Sequence, residues 1–298
     1  MKNCLITNKI SVIGGDQRQL YMVEELSKCN SEVYTFGLPK NKCERINVFS
    51  CNSLEQSLRY SDNIILPLPL SRDNSTVIAP LFDEKIFIDD IISFVKNTDK
   101  LLLVGKANDG ILNKFNTNNI TAIDYFDNEH LNIQNAILTA EGAIALAINE
   151  TNCSVYGAKC LVTGLGRIAK ILSKLLNSMG ATVTIAARNP VDLNWAETLG
   201  YGIISIDQLP DQTDAEIIFN TVPARIIKEN TISRLNKNCL IIELASSPYG
   251  TDFAACNTHK IRYINAASLP GKVAPKSAGI IICKTAINIF KEENRWKT

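Results

Sequence analysis

The sequence predicts an α/β protein built as two doubly wound parallel-sheet domains around a cleft. Three observations predict it. The 298 residues exceed the usual size of one compact domain. Short runs rich in Ile and Val recur with helix-length polar or amphipathic segments between them, the pattern of strands buried on both faces and joined by crossover helices. The alternation runs once, is interrupted by a long apolar segment, and starts again.

Five strands are expected in the first half: ISVIGG (10–15), EVYTFG (32–37), NIILPL (63–68), KLLLVG (100–105) and ITAIDYF (120–126). The segment NAILTAEGAIALAINE (135–150) has apolar residues almost all round a helix, so it is expected to be a buried linker helix. Six strands follow: KCLVTG (159–164), TVTIAAR (182–188), GIISI (202–206), EIIFN (216–220), CLIIEL (239–244) and IRYINA (261–266). The expected division is a substrate-side domain over 1–134, the linker over 135–150, a dinucleotide domain over 151–275, and a last helix over 276–298 that crosses back to the first domain.

Charge and cysteine usage narrow the function classes. Lys and Arg number 31 against 30 Asp and Glu, a net charge of +1 with no long same-sign block, so neither nucleic acid nor another polyanion is an expected partner. The nine cysteines are odd in number and lack a C-x-x-C spacing, and Cys160, Cys239 and Cys283 sit inside apolar runs, which reads as reduced core residues. MKNCLITNK (1–9) is too short and polar for a secretory signal, and no uncharged apolar run reaches the roughly 18 residues of a membrane span. A cytoplasmic, homo-oligomeric protein acting on a small molecule is expected, with no membrane partner and no metal.

The motif with most chemistry is Gly164-Leu165-Gly166-Arg167-Ile168-Ala169, a G-x-G-x-x-A between a strand and the amphipathic helix RIAKILSKLLNSMG. This is the Rossmann-like arrangement: the first glycine makes the tight turn, the second admits a pyrophosphate, Ala169 lets helix pack on strand, and the helix N-terminus offers N–H groups. The next strand ends Ala186-Ala187-Arg188-Asn189, with no carboxylate for a ribose 2′-hydroxyl and with an arginine for a 2′-phosphate, so NADP is favoured over NAD. Further strand ends line the crevice where such sheets bind ligands. Asn220-Thr221-Val222-Pro223 is expected along the nicotinamide ribose and carboxamide, and Ser246 and Ser247, after Glu243-Leu244-Ala245, on the substrate side. In LPGKVAPKSAG (269–279), Gly271, Lys272, Lys276 and Ser277 surround a helix start at Pro275, an anion site.

The first domain has its own glycine turn, Gly14-Gly15-Asp16-Gln17-Arg18, which is not read as a second dinucleotide loop because Asp16 would repel a pyrophosphate. Asp16 is expected to cap the following helix and to stand beside the substrate, and Arg18, one turn in, to grip a substrate carboxylate. Glu141, near Thr139 in LTAEGA, is a carboxylate in an apolar segment; it and Lys272 are the candidate general bases.

GGDQRQ (14–19), TAEGAI (139–144), VTGLGRIAK (162–170), ELASSPYGTDF (243–253) and LPGKVAPKSAG (269–279) together resemble the A-subunit family of dipicolinate synthase of spore-forming bacteria, over nearly the whole chain. The resemblance implies an oxidoreductase that uses NADP, works with a flavoprotein-like B subunit in a hetero-oligomer, and acts in the mother cell cytoplasm during sporulation. It implies conversion of the lysine-pathway intermediate 4-hydroxy-tetrahydrodipicolinate, or its dehydrated dihydrodipicolinate form, to dipicolinate. Two other readings compete. A 2-hydroxy-acid or amino-acid-type dehydrogenase has similar architecture, but that chemistry commonly uses a histidine paired with a carboxylate, and the chain has only His130 and His259. The other is a non-catalytic NADP-binding regulatory subunit.

Overall fold

The computed structural model describes residues 8–29, 31–40, 46–151, 153–211 and 214–296; the start of MKNCLITNK lies outside them. The chain forms two compact units, Met1–Gln134 with Ala274–Thr298, and Asn135–Val273.

In the first unit β1 (Asn8–Ile13), α1 (Gln17–Ser27), β2 (Ser31–Phe36), β3 (Val48–Ser50), α2 (Leu54–Arg59), β4 (Asn63–Ile65), α3 (Ile88–Val95), β5 (Leu101–Val104), α4 (Asp109–Thr117) and β6 (Thr121–Asp124) follow one another. The sheet is wholly parallel, in the order β3-β2-β1-β4-β5-β6. It has six strands where five were expected. The extra one, β3, pairs with β2 over only three residues, too few for any apolar periodicity to show. The run NIILPL leaves the sheet after Ile65 because Pro67 and Pro69 have no N–H for a central ladder.

Helix α5 (Glu129–Glu150) starts six residues before the expected linker and carries the chain into the second unit. By length and composition it is apolar enough to cross a membrane, yet half of that window is buried in the protein; Ala140, Ala143, Ile144 and Ala147 lie in the second unit's core. There β7 (Lys159–Thr163), α6 (Arg167–Ser178), β8 (Thr182–Ala187), α7 (Pro190–Thr198), β9 (Gly202–Ser205), β10 (Ile217–Asn220), α8 (Glu229–Ile232), β11 (Leu240–Glu243), α9 (Phe253–His259), β12 (Arg262–Asn265) and α10 (Leu269–Val273) follow. The parallel order β12-β11-β10-β7-β8-β9 is the same winding as in the first unit. Strands β10 and β11 are buried along their whole length, which is why they read as continuous Ile and Phe rather than as an alternation.

The last helix, α11 (Pro275–Glu292), belongs to the first unit. Ile282, Cys283, Ala286, Ile289 and Phe290 share one core with Met22, Val23 and Leu26 of α1. Gly279 makes the crossing close: a Cβ there would stand 2.9 Å from the Cβ of Tyr21 and against the Arg18 carbonyl. Burial pushes the thiols of Cys160, Cys239 and Cys283 up to about 12, so they are packing groups at neutral pH.

Candidate functional site

The two glycine turns begin alike and then diverge. Gly164 N donates to Ala186 O at 2.7 Å, and Gly14 N donates to Phe36 O at 2.8 Å, so each turn leaves its first strand by hanging on the end of the neighbouring one. Gly164, with φ +79°, is in the left-handed region, and a Cβ there would lie 2.9 Å from Val222 Cγ2. At Gly166, the N-cap of α6, nothing stands within 4 Å of where a Cβ would be, and no side chain caps the helix. An open position beside an uncapped helix N-terminus is what a pyrophosphate requires, so Gly166 and the start of α6 fit a dinucleotide.

The first unit's turn is filled by its own chain. A Cβ on Gly14 would stand 3.1 Å from the Ile78 carbonyl and from Val77, and Gly15 N donates to Ile78 O at 2.7 Å. Asp16 caps α1 in a reciprocal box, its carboxylate accepting from Arg18 N at 2.9 Å while Gln19 Oε1 accepts from Asp16 N at 2.9 Å. The reading of this turn as something other than a dinucleotide loop therefore has a steric reason as well as an electrostatic one.

Arg18 is not an extended clamp. Its side chain is 9% exposed and lies back on its own helix start, Nε 2.9 and 3.2 Å and Nη2 2.8 Å from the Asp16 carboxylate, with Nη2 also donating to Leu68 O. Nη1 makes no hydrogen bond among the described residues, so it is the one guanidinium nitrogen not already engaged. Lys276 and Ser277 are exposed on the uncapped first turn of α11, one turn before Gly279 packs on α1, which brings them to the same end of that helix as Arg18.

In the second unit Arg188 and Asn189 are exposed just beyond β8, with Ala187 buried; Asn189 caps α7 by accepting from Val191 N at 3.0 Å. Thr221 binds back to β7, its hydroxyl donating to Thr163 O at 2.6 Å, and Val222 lies against the glycine turn, with Pro223 exposed beyond it. Ser246 and Ser247 are exposed past β11.

The two candidate bases are both exposed. Glu141 stands in an apolar segment, yet the apolar residues around it face the core while its own position on α5 faces out. Lys272 is also exposed, on the short α10, so burial gives it no help as a general base. The two are nonetheless on packed elements, because a Cβ on Gly142, next to Glu141, would lie 2.9 Å from Val273 and 3.3 Å from Leu269; Gly271 is on the same short helix. His130 is exposed, and His259 pairs with Glu229 at 3.3 Å at the end of α9 that leads into the start of β12, the sheet edge opposite the glycine turn.

The reading of the sequence passed over Thr163, Asn220 and Glu243 as a set. They are the last residues of β7, β10 and β11, paired side by side by the register, and all are fully buried. Thr163 Oγ1 donates to Asn220 Oδ1 at 2.5 Å, and Asn220 Nδ2 donates to Glu243 Oε1 at 2.6 Å. The signal was present, since each apolar run ends in a polar residue.

The comparisons with known proteins accord with this arrangement. Residues 9–126 match the family model for the N-terminal domain of the dipicolinate synthase A subunit. The chain is 30% identical over 291 residues to the dipicolinate synthase A subunit of Bacillus subtilis (strain 168), covering 95% of this chain and 96% of the relative. The crystal structure of the same subunit type from Bacillus subtilis superposes with a TM-score of 0.87 at 29% identity, over 98% of this chain and 99% of that one. The corresponding crystal structure from Bacillus halodurans gives 0.86 at 27%, over 96% and 98%. With end-to-end coverage and both sheets in common, the chain belongs to the A-subunit family of dipicolinate synthase.

Proposed function

We propose that this chain is a nicotinamide-dinucleotide-dependent oxidoreductase that converts 4-hydroxy-tetrahydrodipicolinate, or its dihydrodipicolinate form, to dipicolinate, with NADP as the preferred cofactor. The observation that carries the reading is the space over Gly166 at the uncapped N-terminus of α6, in a chain of this family. Bound there, the dinucleotide would supply a hydride acceptor.

The chain's own residues bind, orient and take a proton. A ring with two carboxylates calls for cations and N–H groups, and those available are Arg18 Nη1, Lys276 and Ser277 at the start of α11 in the first unit, and Lys272 with Ser246, Ser247 and Gly271 in the second. From the dihydro form, one hydride and one proton leave and the ring becomes aromatic; from the hydroxylated form, water leaves as well. Aromaticity supplies the driving force, so a weak base suffices, and the exposed carboxylate of Glu141 is that base in this reading. Lys272 acts as a charge partner. A B subunit completes the enzyme in the mother cell, consistent with the family.

The test is absorbance at the nicotinamide band when the full chain, NADP or NAD, and freshly made substrate are mixed with and without the B subunit. Reduction of NADP by the chain alone supports the proposal. Reduction of neither cofactor in either mixture overturns it.

Arg188 tests the cofactor preference separately. Arg188→Ala is expected to weaken NADP binding about tenfold or more while NAD binding stays unchanged, because only the 2′-phosphate loses a charge-assisted donor. Equal weakening of both cofactors in calorimetric titration would mean that Arg188 does not read the 2′-position.

A further inference from the structure

We infer that Glu243, through Asn220, is the positioning residue that holds together the 221–223 loop meant for the nicotinamide half of the dinucleotide and the substrate-side loop that presents Ser246 and Ser247. The inference rests on the dinucleotide reading above and adds a residue to it. Glu243 is fully buried at the end of β11 and is not paired with any cation among the described residues. Its carboxylate instead accepts four hydrogen bonds. Oε1 accepts from Asn220 Nδ2 at 2.6 Å and Ala245 N at 3.1 Å, and Oε2 accepts from Gly250 N at 3.1 Å and Thr251 N at 2.9 Å.

The donors explain what the group does. Ala245 and Gly250–Thr251 are the two ends of the loop that presents Ser246 and Ser247, so one carboxylate pins both ends of it. Asn220 passes the constraint to the next loop, since its Nδ2 also donates to Val222 O at 3.1 Å and its Oδ1 accepts from Val222 N at 3.3 Å and from Thr163 Oγ1. Gly250 fits so closely on Asn220 that a Cβ there would collide with the amide. A buried carboxylate is retained only where its acceptors are fully used, and here all four donors are main-chain or amide N–H groups belonging to ligand-facing loops. In this winding the strands on the far side of the first one serve the second mononucleotide, so β10 and β11 carry its nicotinamide end and β7 and β8 the adenosine end.

Glu243→Gln tests this with almost no change in volume. An amide replaces one acceptor oxygen by a donor, so either the Ala245 and Asn220 pair or the Gly250 and Thr251 pair faces a donor instead. The full chain is assayed by calorimetry with NADP and with adenosine 2′,5′-bisphosphate, which reproduces the adenosine end only, and by steady-state kinetics with the B subunit present. The expected result is a loss of about tenfold or more in NADP affinity or in kcat, with bisphosphate binding unchanged. Unchanged NADP binding and kcat overturn the inference, as does equal weakening of NADP and the bisphosphate, which is what a general loosening of the sheet would give. Asn220→Ser, which cuts the link to the 221–223 loop and leaves the Glu243 backbone contacts in place, is measured in the same way and decides the matter if the first variant does not fold. Failure of the wild-type chain to bind NADP or NAD would instead remove the dinucleotide reading itself.

Discussion

Gly166→Val is expected to leave the fold intact and to lower dinucleotide affinity about a hundredfold or more, equivalent to about 2.7 kcal/mol. The two halves of that expectation come from different observations. Gly166 has φ −76° and ψ −171°, extended backbone open to any residue, and no neighbour within 4 Å of a Cβ, so the protein itself tolerates the side chain. The stability cost is that of exchanging glycine for a β-branched residue at an N-cap, about 1 kcal/mol. The ligand does not tolerate it, because the added methyls occupy the space through which a pyrophosphate reaches the first N–H groups of α6. Gly164→Ala is the contrasting variant. Its φ of +79° and the nearby Val222 Cγ2 make it costly for the fold, by about 1–2 kcal/mol in denaturant unfolding, before any ligand is considered. If Gly166→Val bound NADP as tightly as the wild type, the phosphates would not lie over this turn and the cofactor site would have to be sought elsewhere.

These two glycines also show what the sequence could and could not convey. The strands of both units and the Gly164–Ala169 turn were legible because a buried parallel strand must be apolar throughout and a phosphate turn must be small at fixed spacing. Strand β3 was not, since three residues on a sheet edge carry no period. The residues expected on the substrate side were legible by type, whereas their environments depend on the fold. Arg18 was recognisable as a fork of donors, but its commitment to Asp16 and to the Leu68 carbonyl depends on a residue fifty positions away. Glu141 stands among apolar neighbours and still faces solvent, because a helix turns about 100° per residue and one position can face out between two that do not. The Thr163–Asn220–Glu243 chain needed the strand order: only when β10 is known to lie between β7 and β11 do three polar strand ends become neighbours.

Arg18→Met is expected to separate substrate recognition from cofactor binding. The guanidinium is already fixed by the Asp16 carboxylate and by a carbonyl, so the ordering cost of binding an anion at Nη1 is met in the free protein. Losing it should lower kcat/KM for the dicarboxylate by about a hundredfold or more, chiefly through KM, while the NADP dissociation constant stays at its wild-type value. Stability should fall by only about 1–2 kcal/mol, below the usual cost of breaking a buried pair, because Asp16 is 28% exposed and keeps its cap on α1. Arg18→Lys should not restore KM, since an ammonium cannot bind Asp16 side-on and still present a second donor edge. Asp16→Asn sharpens the distinction. Asparagine caps a helix as well as aspartate does, so the turn survives, yet the anion that balances Arg18 is gone. A dicarboxylate should then bind at least as tightly as to the wild type, because one repelling charge has been removed from its surroundings. A KM unchanged in Arg18→Met, with only the melting temperature lowered, would make the Arg18–Asp16 pair a fastening of α1 and leave anion recognition to Lys276 and the start of α11.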